Sequence, residues 1–173
     1  CLSGDLGAAY MGLHLLEREK RACGGQPDPK PKFEGHEYIL GRQLKPEART
    51  DIIERLAEAG IVPTSMIDIT DGLASETLHL CKSSGCGARI YLDRLPIARQ
   101  THDMAEELHT DPVVAALNGG QDYELLFTVP LSKQQEIFAL GVDVIGHVTA
   151  AGTGAMLVTP DGSEIALKAP GWK

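Results

Sequence analysis

The stretch IDITDGL, Ile67 to Leu73, sets Asp68, Thr70 and Asp71 immediately ahead of a glycine. Side chains alternate along a strand, so Asp68 and Thr70 share one face while Ile67 and Ile69 share the other. Asp71 and Gly72 then form the turn into a helix. Two carboxylates and a hydroxyl at the end of a strand suit Mg²⁺, which takes one or two carboxylates and completes its shell with phosphate oxygens and water. The adjoining helix N-terminus favours negative charge, phosphate included. The competing reading is local. Asp71 is then only an N-cap, and Asp68 only a hydrogen-bonded strand-end acid; capping is the commoner use of acids at such positions.

Three other stretches carry residues of chemical interest. In NGGQDYELLFTV, Asn118 to Val129, the Gly119–Gly120 pair permits backbone approaches that a Cβ would block. Asp122 and Glu124 fall on one strand face, opposite Tyr123 and Leu125. That face either lines a ligand pocket or forms a solvated edge. In SGDLGAA, Ser3 to Ala9, a Gly-containing turn enters a helix. It can cradle an anion, or it is simply a tight strand-to-helix turn. No lysine follows its glycines as in a P-loop, and the dinucleotide fingerprint is incomplete. Near the C-terminus, APGWK holds the single tryptophan, Trp172. It either packs on the core or stacks on a flat ligand. The six histidines show no ligand spacing, and no Ser/His/Asp or Cys/His set emerges.

The elements that must position these residues follow from periodicity. Helices are expected over Leu6–Arg21, Glu34–Arg42 and from Pro46 to Gly60, the last with Ile52, Ile53, Leu56 and Ala57 on its buried face. Further helices are expected from Leu73 to a stop at Gly85, over Arg99–His109, from an Asp111 cap to Leu117, and from a Ser132 cap to Leu140. Strands are expected at Ser65–Thr70, Ala88–Leu92 and Tyr123–Val129. Short strands joined by AAGTG and PDG turns fill Val142–Ala166. CGGQPDPKPKF, Cys23 to Phe33, reads as a loop. The alternation implies an α/β or α+β layered domain.

The 173 residues suit one domain, and a hydrophobic fraction of 43% is enough for a core. The net charge of −8, with no basic stripe, argues against nucleic acid. No apolar run is long enough to span a bilayer. None of Cys1, Cys23, Cys81 and Cys86 forms a C-x-x-C pair, so they read as reduced, structural thiols of a cytoplasmic protein. The abrupt opening at Cys1 reads as a strand running straight into a helix, the start of a fragment.

Taken together, IDITDGL, CGARI, GGQDYELLFTVP and the terminal GW resemble the C-terminal half of the thiamine-monophosphate kinase family. That family belongs to the superfamily of aminoimidazole ribonucleotide synthetase. The Asp-x-Ser/Thr-Asp-Gly-Leu motif is shared across the superfamily, whereas the Gly-Gly-Glu-Asp-Tyr-Glu-Leu motif is more specific to the kinases. The resemblance implies an aminoimidazole ribonucleotide synthetase C-terminal-domain-like fold, a mixed sheet packed against helices. It implies transfer of the ATP γ-phosphoryl to thiamine phosphate by direct in-line displacement with Mg²⁺. By position it makes Asp68 and Asp71 metal ligands, Thr70 an ATP contact, and Gln121 and Trp172 substrate contacts. Gln121 departs from the family's glutamate, keeping a hydrogen bond without the charge.

The resemblance also implies an N-terminal ATP and metal domain that this sequence does not match, a homodimeric parent, and little activity for this piece alone. The alternatives are another ATP- and Mg²⁺-using member of the superfamily, such as a hydrogenase maturation factor or selenophosphate synthetase, and a non-catalytic binding module.

Overall fold

The computed structural model describes residues 1–24 and 30–169. Residues 25–29 of the expected glycine-proline loop, and Trp172, therefore lie outside the described residues. Helices α1 (Ala8–Cys23) and α2 (Glu37–Leu44) pack on each other and on α5 (Arg99–Glu107), burying Met11, Leu15, Ile39 and Met104 in one cluster. The recurrence of apolar residues along the first helix at helical spacing is what builds this contact.

The helix α3 (Thr50–Glu58) starts four residues later than Pro46 suggests. Arg49, immediately before it, donates to the Ser3 carbonyl and to Asp51, and pairs with Glu124. A distant anchor therefore fixes where the helix begins. Its buried stripe is also narrower than expected: Ile52 and Leu56 are buried, but Ile53 is 46% exposed and Ala57 is exposed.

Strand β1 (Ser65–Asp68) leads into α4 (Leu73–Ser84), which ends at Gly85. Gly85 adopts φ 60, and the Cys86 N–H returns to the Cys81 carbonyl at 3.0 Å, the closure expected of a C-terminal glycine. Next come β2 (Gly87–Tyr91), α5, and α6 (Pro112–Asn118), which Asp111 caps through the Val113 N–H at 2.8 Å. They are followed by β3 (Leu125–Thr128), α7 (Gln134–Ala139), β4 (Gly146–Thr149), β5 (Ala155–Val158) and β6 (Glu164–Ala166). Ser132 does not cap α7. Leu131–Lys133 form a 3₁₀ turn that leads into the helix with no side-chain cap.

The strands form two sheets. β1 and β3 pair antiparallel, Ser65 opposite Thr128 through Asp68 opposite Leu125. Leu2 adds a bridge to Leu126 on that sheet and another to Asp143. The second sheet runs β4-β2-β5-β6 and is mixed, with β2 and β5 parallel and the other pairs antiparallel. The α/β layered expectation holds. A central cluster including Leu6, Ile69, Leu73, Ile90, Ala116, Leu126 and Leu157 joins both sheets to α4 and α6. The four cysteines are free thiols.

Candidate functional site

The β1 strand ends at Asp68, but its alternation continues for two residues. Ile67 and Ile69 turn into the central core, while Asp68 is exposed and Thr70 half-buried. Asp71 is exposed as well. The cost of burying a charge, the usual objection to acids at a strand end, therefore does not arise for either carboxylate. Neither has a hydrogen-bond or ion-pair partner among the described residues. The capping reading fails for Asp71. The N-cap of α4 is Gly72, at φ 111, and no side chain caps the helix. Gly72 is required there, since a Cβ would lie 2.6 Å from the Leu117 carbonyl oxygen. The outcome is two free carboxylates beside an uncapped helix N-terminus.

The glycine-rich segment is laced to this turn by the backbone. Ile69 N–H donates to the Glu124 carbonyl (2.8 Å), Tyr123 N–H to the Ile69 carbonyl (3.0 Å), and Gln121 N–H to the Thr70 carbonyl (2.8 Å). Gly120 makes the approach feasible: it has φ 69, and a Cβ there would lie 2.3 Å from the Thr70 oxygen. The fold thus brings Asp68, Thr70, Asp71 and Gln121 to one locus, with the Gln121 side chain exposed. Two non-glycine residues of this segment take left-handed backbone conformations, Gln121 at φ 61 and Tyr123 at φ 54. Each costs on the order of 1–2 kcal/mol, and such outliers gather at functional sites. They also delay the expected strand, so β3 starts at Leu125 rather than Tyr123.

The polar face expected at Asp122 and Glu124 is neither a ligand wall nor a solvated edge. Asp122 is 3% exposed and Glu124 is 1% exposed. Asp122 receives the Gly7 N–H at 3.1 and 3.0 Å and the Ala9 N–H at 3.5 Å. The SGDLGAA turn therefore does cradle an acceptor, and that acceptor is the protein's own Asp122 carboxyl. Burial pushes the Asp122 carboxyl up to about 7, against the lowering effects of the Gly7 N–H and the Arg42 charge. Glu124 accepts from the Ser3 hydroxyl (2.5 Å) and pairs with Arg42 (3.0 Å) and with Arg49. Arg42 also donates to the carbonyls of Asp5 and Asp122, and Tyr38 donates to Asp5. These groups lock the base of the glycine-rich loop to α1, α2 and the start of α3.

One residue at the site has no forewarning in the sequence motifs. Glu76, in the first turn of α4, is 2% exposed. Its Oε1 accepts the Asp71 N–H at 3.2 Å and lies 3.4 Å from the Thr70 hydroxyl. Its Oε2 is buried without a hydrogen-bond partner. Burial is the main cause that raises its pKa, with the Asp71 charge acting in the same direction. Its acidic type inside a helix's first turn was the only available signal.

The free carboxylates fit a divalent cation in part. Among the described residues no group of three or more His, Cys, Asp or Glu side chains is placed to hold a metal. An ion at Asp68 and Asp71 would complete its shell from phosphate, water or residues outside this set, the habit of Mg²⁺. A mostly apolar cavity of about 420 Å³ lies on the far flank of α4, lined by Thr77, Leu80 and Cys81 together with β2 and β4. None of the four site residues lines it. No helix of the described residues is long and apolar enough to cross a membrane.

Comparison with known proteins gives the family. Residues 3–159 match the family described as AIR synthase related protein, C-terminal domain. The thiamine-monophosphate kinase of Aquifex aeolicus is 32% identical over 173 residues, covering 99% of this chain and 50% of the relative. That of Escherichia coli K12 is 37% identical over 181 residues, again covering 99% and 50%. A solved structure described as AaThiL complexed with AMPPCP and TMP superposes with a TM-score of 0.78 at 31% identity, covering 99% of this chain and 49% of that one. The chain thus spans about half the length of the curated relatives it matches. It belongs to the family of AIR synthase-related C-terminal domains.

Proposed function

We propose that this chain is the C-terminal domain of a two-domain thiamine-monophosphate kinase, which transfers the γ-phosphoryl of ATP to thiamine phosphate to give thiamine diphosphate. The observation that carries this reading is the pair of free carboxylates, Asp68 and Asp71, beside the uncapped N-terminus of α4. Both relatives described above are thiamine-monophosphate kinases, and the solved relative was complexed with AMPPCP and TMP.

The reaction asks the protein for position and charge neutralisation rather than a nucleophilic side chain. Asp68 and Asp71 would hold Mg²⁺, which supplies neutralisation of phosphate charge when bound. Thr70 contacts the nucleotide. The first N–H groups of α4, free of any side-chain cap, attract phosphate oxygens. Gln121 meets the substrate with an amide that supplies a hydrogen bond and no charge. Trp172 would complete the substrate contact. The transfer is in line and leaves no phospho-enzyme. The N-terminal domain supplies the remaining metal ligands and the main ATP site, the parent is a cytoplasmic homodimer, and this chain alone is inactive.

The test is made on the complete protein that contains this chain. Thiamine diphosphate formation from ATP and thiamine phosphate is measured for the wild type and for Asp71→Asn. The expected loss is on the order of 100-fold, about 2.7 kcal/mol of transition-state stabilisation. A near-wild-type rate with unchanged Mg²⁺ dependence would remove Asp71 from the chemistry. No turnover by the wild type would favour a binding module.

A further inference from the structure

We propose that Glu76 is a positioning residue: it takes over the hydrogen-bonding work of the turn before α4 and so leaves the Asp71 carboxylate free for a divalent cation. The inference rests on the metal-binding reading of Asp71. A helix start normally recruits an acid or hydroxyl at its N-cap. Here the N-cap must be glycine, because φ is 111 and a Cβ would meet the Leu117 carbonyl oxygen at 2.6 Å. Asp71, one residue earlier, is the nearest acid that precedes the uncapped first turn. Its carboxylate nevertheless accepts no hydrogen bond among the described residues.

Glu76 accounts for this. It reaches back from inside the helix and accepts the Asp71 N–H at 3.2 Å, with the Thr70 hydroxyl 3.4 Å away. The backbone of Asp71 is thereby pinned with its side chain turned out to solvent. Glu76 does so while almost fully buried and with Oε2 unpartnered. An arrangement serving stability alone would not retain an unsatisfied buried oxygen next to an exposed acid able to do the capping. Without Glu76, the Asp71 N–H loses its acceptor, and the Asp71 carboxylate falls back onto the first N–H groups of α4. A cation would then meet a ligand already engaged.

The experiment uses the complete protein and Mn²⁺ as the probe, with free and bound Mn²⁺ separated by electron paramagnetic resonance. Glu76→Ala is expected to weaken Mn²⁺ binding about tenfold or more, within the range that partners of metal ligands contribute. Glu76→Gln keeps an acceptor oxygen and is expected to stay within about twofold of wild type. Glu76→Asp withdraws the acceptor by one methylene, and it carries the test where the alanine variant fails to fold; weakened binding is expected. Unchanged binding in Glu76→Ala, or in Glu76→Asp where alanine does not fold, overturns the inference. A Gln variant as impaired as the Ala or Asp variant also overturns it, because charge rather than the acceptor would then matter. Asp71→Asn separates the two levels. If it leaves Mn²⁺ binding intact, the metal reading of Asp71 falls, and this inference with it.

Discussion

Replacing Asp122 by asparagine should flatten part of the pH dependence of folding stability. Asp122 is 3% exposed, and burial raises its carboxyl from 3.8 to about 7. The folded protein therefore binds a proton that the unfolded chain releases between those values. A carboxyl with a raised folded pKa adds stability that is complete below its unfolded value and vanishes as pH climbs through its folded one. From about pH 5 to about pH 8 the wild type should lose roughly 2.5 kcal/mol from this group alone, at about 1.4 kcal/mol per pH unit below pH 7. The asparagine of the variant cannot titrate, and its amide oxygen still accepts the Gly7 N–H.

The assay is urea unfolding of the 173-residue chain and its Asp122→Asn variant across that range, read as the difference between them. Subtracting the curves removes the other titrating groups. The variant should stay close to the wild type at acid pH, where its neutral amide mimics the protonated carboxyl, and should become the more stable of the two above neutrality. A difference constant with pH would refute the reasoning. It would mean that the Gly7 and Ala9 N–H groups and the positive end of α1 hold Asp122 ionised despite its burial.

Two further outcomes follow from the same loop. Glu124→Ala leaves Arg42, Arg49 and the Ser3 hydroxyl without their shared acceptor, and it should destabilise the chain by about 3–5 kcal/mol in urea unfolding, the cost of breaking a buried pair. Gly120→Ala places a Cβ 2.3 Å from the Thr70 oxygen at φ 69. It should cost more than about 1 kcal/mol and should deprotect the Gln121 amide in hydrogen exchange, because the bond to Thr70 opens first.

Elements with strong local grammar were legible in advance. The pattern from Leu73 to a glycine stop marked the bounds of α4, and Asp111 caps α6 as its position before a proline and an apolar run predicted. The locus of Asp68, Thr70 and Asp71 was legible for the same reason: strand alternation and a turn glycine act over a few residues. Boundaries governed by distant partners were not. α3 begins where Arg49 is anchored, and the strand expected from Tyr123 is cut short where Gln121 and Tyr123 turn left-handed.

The sequence by itself determined which chemistry-bearing residues lie at the end of β1 and that a glycine pair follows them in a second segment. Only the tertiary structure decided which acids are spent on architecture and which remain free. In sequence, Asp68, Asp71, Asp122 and Glu124 are alike, acids within or beside expected strands. In the fold, Asp122 meets Gly7 across 115 positions and Glu124 meets Ser3 across 121, while Asp68 and Asp71 stay exposed. Burial and partner choice over such separations depend on how the layers pack, and no local spacing encodes them. Glu76 shows the same limit at short range, because its role depends on the conformation of Gly72 and on the direction in which Asp71 is left to point.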